Sequence, residues 1–251
     1  MIEVENLSKQ YGKFQAVEDL SFSIPKGQVV GFLGPNGAGK TTTMRMLTTF
    51  IPPSGGSAQV AGYDIYKQGD QVRSSIGYLP EAPSMYPELS VRENIDFFAS
   101  IRGLSSKPRK KAVDQVIERC LLGDVRSKLA SHISRGYRQR VGLACALVHE
   151  PEVVILDEPT SGLDPQQIIE IRKLIRELGE TQTVILSTHV LPEVTEVCSH
   201  VIIIAGGKLV EKGSVAELTA EESLEKRFLQ AVAGVQRSLP EAESVSDSGQ
   251  E

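Results

Sequence analysis

The sequence predicts an α/β fold whose core is a mainly parallel sheet covered by helices, with a helical segment inserted into it. Three observations support this prediction. From residue 151 onward, short apolar runs alternate with helical patterns, which is typical of βαβ units. Residues 84–150 instead carry apolar side chains at helical spacing. Residues 1–83 carry short apolar runs separated by Gly and Pro, as strands and turns do.

Each element follows from its own pattern. Strands are predicted in the first part at 1–5, 22–24, 28–33, 58–60 and 76–79, with a helix over about 39–47. In the insert, Ser90 and Glu93 form a capping box before the first of three apolar stripes. The last part predicts strands at 153–156, 183–186 and 201–204, and helices at 165–178 and 191–197.

Composition excludes several functional classes. The net charge of −5 disfavours a broad nucleic-acid-binding surface, which requires a basic face. No apolar run approaches the length needed to cross a bilayer, and the N-terminus does not resemble a secretory signal. The three cysteines lack metal-like spacing and are typical of buried thiols in a reducing compartment. We therefore expect a soluble, cytosolic protein that could serve a membrane only through another chain.

Residues 34–42 carry the strongest functional signal. They read Gly-Pro-Asn-Gly-Ala-Gly-Lys-Thr-Thr and follow an apolar strand, as a phosphate-binding loop does. Glycine backbone N–H groups can turn onto phosphate oxygens, and the N-terminus of the next helix favours an anion. Lys40 is predicted to approach the β- and γ-phosphates and Thr41 to bind Mg²⁺, so the alternative of a plain glycine-rich turn is disfavoured. The predicted nucleotide-binding residues of this loop are Gly34, Pro35, Asn36, Gly37, Ala38, Gly39, Lys40, Thr41 and Thr42.

Two adjacent acids form the second signal. Four apolar residues precede Asp157 and Glu158, so a buried strand delivers both carboxylates to its carboxyl end, where α/β sheets bind ligands. Asp157 is predicted to hold Mg²⁺. Glu158 is predicted to orient or deprotonate the water that attacks the γ-phosphate. Beside a phosphate loop, this interpretation is favoured over a strand that simply ends in solvated acids.

With these motifs in place, the chain resembles the ATP-binding cassette (ABC) ATPases over about residues 1–220. The remaining family motifs occur in the family's order: an aromatic at Tyr11, a glutamine-loop equivalent at 77–81, a signature at 133–137, a loop at 161–165 and a histidine at His189. The resemblance implies a P-loop NTPase core with an antiparallel β portion and an inserted helical subdomain. It divides the chain into a core at 1–83 and 151–220, a helical subdomain at 84–150, a short C-terminal helix at 221–237 and an acidic, disordered tail at 238–251.

The resemblance also implies a mechanism that uses ATP and Mg²⁺. Two cassettes dimerise head to tail, and Ser134 and Gly136 bind the ATP of the opposite chain. His189 contacts the γ-phosphate beside the catalytic Glu158. Tyr11 stacks on adenine, and Glu81 joins Thr41 and Asp157 as a metal ligand.

Two departures distinguish this chain from the usual family pattern. Glu81 replaces the loop glutamine, and the sequence around it resembles a subfamily of drug, lipid and gliding-motility exporters. In the signature, Arg135 stands for Gly and Tyr137 for Gln. Two roles are open for Arg135: a cation directed at the partner's ATP, or a residue that faces solvent.

The sequence therefore predicts the ATP-hydrolysing subunit of an ABC exporter. It would act as a homodimer at the cytoplasmic face of the membrane, bound to a separate polytopic permease subunit that selects the substrate. The alternative is a soluble ABC ATPase that serves translation, DNA repair or iron–sulfur assembly. The acidic balance and the single cassette favour the transporter, with no nucleic acid as partner.

Overall fold

The computed structural model describes residues 1–238, and side chains through residue 234. The strands are β1 (Ile2–Tyr11), β2 (Phe14–Ile24), β3 (Val29–Leu33), β4 (Gly55–Val60), β5 (Tyr63–Asp64), β6 (Ile76–Leu79), β7 (Val153–Asp157), β8 (Thr183–Thr188), β9 (His200–Ala205) and β10 (Lys208–Ser214). The helices are α1 (Lys40–Leu47), α2 (Gly69–Ser75), α3 (Val91–Ile101), α4 (Ser106–Arg119), α5 (Arg135–Leu147), α6 (Pro165–Gly179), α7 (Leu191–Val197), α8 (Val215–Leu218) and α9 (Leu224–Ser238). Across this described part, none of the helices combines the length and apolar character that a bilayer span requires.

A six-stranded sheet forms the centre of the molecule, in the order β10-β9-β3-β8-β7-β6. All neighbours pair in parallel except β9 and β10, which form an antiparallel hairpin at one edge. The carboxyl ends of β3 and β7 are separated only by β8, so the loops that follow them share one edge of the sheet. The predicted α/β class with a mainly parallel sheet is confirmed.

The second sheet is antiparallel, in the order β2-β1-β4-β5. Strand β1 runs to Tyr11 and β2 begins at Phe14, whereas the sequence predicted strands only at 1–5 and 22–24. The two predicted strands were therefore several residues too short. The cause is local, because Asn6 and Asp19 both adopt positive φ angles of 47° and the strand register shifts near them. These irregularities interrupt the two-residue alternation by which a strand is recognised.

Two apolar clusters cover the two faces of the central sheet. Val154 and Leu156 point into one cluster with the helices of the insert, whereas Val153 and Ile155 point into the other with the antiparallel sheet. This alternation is the two-residue period of a strand buried on both faces. The burial fixes the register of β7 and therefore the position of the acids at its end.

The inserted segment contains α3, α4 and α5. The capping box predicted at Ser90 is confirmed, since its side chain accepts from the Glu93 amide and the Glu93 carboxylate accepts from the Ser90 amide. Helix α5 packs closely on the core: a Cβ atom on Gly77 of β6 would lie 2.2 Å from the carbonyl oxygen of Ala146. The insert is thereby held against the edge strand of the parallel sheet.

Helix α9 follows the sheet, and Leu224 near its start is buried in the cluster shared with the insert. The Arg227 guanidinium, one turn further, pairs with Glu211 of β10 at 2.9 Å. The acidic tail predicted from 238 lies, beyond Ser238, outside the described residues.

Candidate nucleotide-binding site

The phosphate loop connects β3 to α1. Gly37 and Gly39 have φ angles of 79° and 98°, which residues with a Cβ rarely adopt, so the loop requires glycine there. A Cβ on Gly34 would lie 2.5 Å from the Ile204 carbonyl oxygen, and one on Gly39 would lie 2.6 Å from that of Ala16. The glycines thus allow a tight loop that ends at the N-terminus of α1.

Lys40 is the first residue of α1, and its side chain folds back under the loop. Its Nζ donates to the carbonyl oxygens of Gly34 at 2.8 Å and Pro35 at 3.2 Å, although the residue is 6% exposed. The Glu158 Oε1 atom lies 3.5 Å from the same Nζ. The sequence therefore places a buried cation at the centre of a loop suited to phosphate.

A cavity of about 380 Å³ opens beside this loop. It is lined by Phe14, Ala16, Asn36, Gly37, Gly39, Lys40, Thr41, Thr42, Glu81, Glu158, Ser161 and His189. The fold thus brings the loop together with Glu81, Glu158 and His189, which are far apart in the sequence. Of the other loop residues, Pro35 lies against Lys40, and Ala38 is buried with its amide bonded to the Pro35 carbonyl oxygen at 3.1 Å.

Asp157 is fully buried at the end of β7. Its Oδ1 accepts from the Ser187 hydroxyl at 2.8 Å, and its Oδ2 has no partner among the described residues. Burial raises the pKa of Asp157 above its ordinary value, the hydroxyls of Ser187 and Thr41 oppose the shift, and Glu158 and Glu81 add to it. A buried carboxylate oxygen without a partner suits a hard divalent cation, but the described residues contain no group of three or more His, Cys, Asp or Glu side chains placed to hold a metal.

Glu158 occupies an unusual backbone position. Its φ angle is 50°, which is uncommon for a residue with a Cβ and costs about 1–3 kcal/mol. Its amide donates to the Ser187 carbonyl oxygen at 2.9 Å, which fixes the turn after β7. The His189 Nδ1 atom lies 2.9 Å from Glu158 Oε2. Backbone strain at a residue whose carboxylate lies between Lys40 and His189 is typical of a functional site.

The aromatic residue that would stack on adenine is less clearly indicated by the structure than by the sequence. Tyr11 is not among the residues that line the cavity, and the Lys9 Nζ lies 5.3 Å from its ring centroid. Phe14 lines the cavity, and it pairs directly with Tyr11 across the β1–β2 hairpin. Both rings therefore stand at one hairpin tip, and adenine stacking on Tyr11 stays a prediction. Had β1 and β2 been predicted at their full lengths, Phe14 would have been expected opposite Tyr11 at the hairpin tip.

The predicted signature residues lie outside the cavity. Ser134 caps α5 and accepts from the Tyr137 amide at 3.4 Å, and Gly136 lies in the first turn of that helix. The first turn contains no acidic residue. These residues form a second helix N-terminus, which in this chain does not meet the phosphate loop.

This arrangement defines a nucleotide-binding protein of the phosphate-loop type, with paired acids and a histidine beside the loop. A family model described as "ABC transporter" matches residues 17–161, and the chain belongs to this family. A second model, described as an AAA domain, putative AbiEii toxin, Type IV TA system, matches residues 129–194.

Individual relatives agree with the family. The bacitracin transport ATP-binding protein BcrA of Bacillus licheniformis is 41% identical over 84% of this chain and 69% of its own length. The linearmycin resistance ATP-binding protein LnrL of Bacillus subtilis is 37% identical over 87% of this chain and 70% of its own. A solved structure described as the ATP-binding subunit of an ABC transporter superposes with a TM-score of 0.84 at 29% identity, covering 92% of this chain and 99% of that one.

The predicted ATP-binding, ATP-hydrolysing subunit of an ABC transporter is thereby confirmed. None of these relatives supports the alternative of a soluble ABC ATPase in translation, DNA repair or iron–sulfur assembly.

Proposed function

We propose that this chain drives an exporter: two cassettes bind ATP between them and act on a separate membrane-spanning permease from its cytoplasmic face. The names of two relatives, a bacitracin transport protein and a linearmycin resistance protein, support export. Within this proposal, residues 1–83 and 151–220 form the catalytic core, and residues 84–150 form the helical subdomain.

One observation carries the dimer. Ser134 is exposed at the start of α5, and Gly136 lies buried beneath the end of the Gln167 side chain; both stand outside the cavity that contains Lys40, Glu158 and His189. A helix N-terminus with a serine cap and no first-turn acid favours an anion. A second copy, placed head to tail, would bring this terminus to the γ-phosphate that the first copy holds.

The residues of the cavity then divide the chemistry. The loop amides and Lys40 bind the β- and γ-phosphates, and Glu158 orients the attacking water and accepts its proton. His189, bonded to Glu158, holds that carboxylate and contacts the γ-phosphate. Thr41, Asp157 and Glu81 would hold Mg²⁺, which neutralises phosphate charge when bound.

The permease would dock on a groove of about 390 Å³ between the core and the insert. Phe50 and Tyr78 line it from the core, and Phe98 and Cys145 line it from α3 and α5. Phe50 is 72% exposed, so a partner helix would cover a large apolar ring. Tyr78, near the end of β6, thus links the groove to the loop that carries Glu81.

The test is affinity capture of the Glu158→Gln chain from detergent-solubilised native membranes with Mg²⁺ and ATP. This variant keeps the shape of the side chain but removes the base, so it should hold ATP in a stable dimer and stop turnover. A stoichiometric polytopic membrane protein should co-purify, and less of it should co-purify with Phe50→Glu in the same background. Capture of ribosomes or soluble assembly factors alone would contradict the exporter.

A further inference from the structure

Arg135 contacts a loop of its own chain. It is the first residue of α5, directly after Ser134, and its Nη2 donates to the Ser161 hydroxyl oxygen at 3.2 Å. A Cβ on Gly162 would lie 2.6 Å from the Arg135 Cζ and Nε atoms, so the guanidinium rests against the Gly162 backbone. The φ angle of Gly162 is 72°, which a side chain there would also disfavour.

The contacted loop carries the catalytic base at its start. The Ser161 amide donates to the Glu158 carbonyl oxygen at 3.1 Å, and the Leu163 amide donates to that of Thr160 at 3.1 Å. Ser161 itself lines the nucleotide cavity. Any shift of Ser161 would therefore move the strained backbone of Glu158, which has a φ angle of 50°.

A second contact joins the same two regions. The end of the Gln167 side chain lies over Gly136, 2.1 Å from where a Cβ of that glycine would be. Gln167 belongs to the first turn of α6, and its amide donates to Asp164, which caps that helix. The first turn of α5 thus touches the 161–167 segment at both Arg135 and Gly136.

We propose that Arg135 is a positioning residue that fastens the 161–164 loop of its own chain to the start of α5. The inference rests on the proposed function, in which that helix start binds the partner's ATP. Engagement of Ser134 and Gly136 by the partner's γ-phosphate then reaches, through Arg135 and Ser161, the Glu158 of the same chain. The cation serves its own loop rather than the opposite nucleotide.

The contact itself is tested in the isolated chain. Arg135→Ala should speed amide hydrogen exchange at Ser161 and Leu163 by about two- to tenfold, the worth of one hydrogen bond. Arg138→Ala is the matched control, because Arg138 is an exposed cation one turn further along α5. Equal exchange in the two variants would overturn the proposal, whatever the oligomeric state.

Mixed dimers then separate action within a chain from action across the interface. When an Arg135→Ala chain is mixed with a Glu158→Gln chain, only the Arg135→Ala chain's own Glu158 can turn over. Our proposal predicts turnover about two- to tenfold below a mixture of the parental and Glu158→Gln chains, with KM for ATP within twofold. The reciprocal mixture, parental with the Arg135→Ala/Glu158→Gln double variant, should keep the parental-mixture rate.

The opposite pattern would assign Arg135 to the partner's ATP and overturn the inference while leaving the dimer intact. Arg135→Lys should recover part of the rate, because an ammonium can reach Ser161 but cannot lie flat on Gly162. Size-exclusion chromatography of the Glu158→Gln chain with ATP is run beside these assays. A failure to dimerise there would count against the proposed function and not against the exchange result.

Discussion

The molecule presents two helix N-termini suited to phosphate, and their surroundings differ. The start of α1 is enclosed: Lys40 is buried beneath the phosphate loop, and Glu158 and His189 close the cavity from other strands. The start of α5 is open, with Ser134 exposed and no acid in the first turn. One terminus has Lys40, Glu158 and His189 around it, whereas the other is flanked by Arg135, by Gln167 and by Tyr137, whose hydroxyl donates to Asp124 at 2.6 Å.

In the proposed function, this difference lets one chain contribute a phosphate loop to one site and an anion-binding helix start to the other. In that proposal, the enclosed terminus would supply binding energy and the base. The open terminus supplies donors to whatever approaches from outside. Two copies arranged head to tail would satisfy both, so each catalytic site would be divided between chains.

Loss of the open terminus should have the largest effect on turnover. Ser134→Arg would place bulk and a long side chain where the partner's γ-phosphate should enter. Turnover should fall about 100-fold, as when a transition-state donor is lost, while ATP binding to the single chain stays within twofold. Steady-state kinetics and calorimetry measure the two quantities. Ser131→Arg, an exposed serine just before α5, is the control; a matching loss of ATP affinity at Ser134 would break the distinction.

The enclosed terminus should respond in the opposite way. Lys40→Ala removes the buried cation, so affinity for ATP should fall about 10- to 100-fold, the range for a charge-assisted hydrogen bond. Isothermal calorimetry on the single chain measures it. Lys26→Ala, which removes an exposed lysine in the turn before β3, should bind normally. Unchanged binding by Lys40→Ala would refute the assignment of the loop.

Stability should separate the two termini as well. Gly34→Ala would push a methyl group against the Ile204 carbonyl oxygen and should cost about 1–3 kcal/mol of unfolding free energy. Gly136→Ala meets only the movable end of Gln167, and alanine favours a helix, so its change should stay within about 1 kcal/mol. Urea denaturation of both variants compares them. Equal destabilisation would show that the open terminus is as tightly packed as the enclosed one.

At the other end of α5, a change of pH should alter the stability of the chain, and this effect should be the smallest of those predicted. The ring of His149, just beyond α5, bonds the Ile76 carbonyl oxygen at 3.0 Å. Burial, with a contribution from Arg102, lowers the pKa of His149 to about 4. The unfolded chain binds this proton more readily, so the free energy of unfolding should decrease as pH falls from about 6.5 toward 4. The slope of that decrease against pH should be at most the slope that the uptake of one proton gives.

The variant His149→Gln keeps a donor for Ile76 and should flatten that decrease. Thermal unfolding at several pH values between 4 and 7 measures the slope. An identical slope in the parental chain and the variant would remove His149 as its source.

The sequence was informative where chemistry demands contiguous residues. The loop at 34–42 and the acids at 157–158 each sit on one strand–turn unit, so local pattern alone indicated their roles. Phe14 was not predicted, and Ser161 was predicted only as part of the family loop at 161–165, because their approach to the cavity depends on a hairpin and on a turn after β7. The contact of Arg135 with Gly162 joins two loops that only tertiary packing brings together.

The division of the site between two chains is tested most directly by complementation. Lys40→Ala has an intact open terminus, and Ser134→Arg has an intact enclosed one, so each homodimer should be nearly inactive. In a mixed dimer, one site would combine the two intact halves. Mixing the purified chains should restore ATP hydrolysis well above the sum of the separate rates. A mixture no more active than that sum, with mixed dimers present, would contradict it.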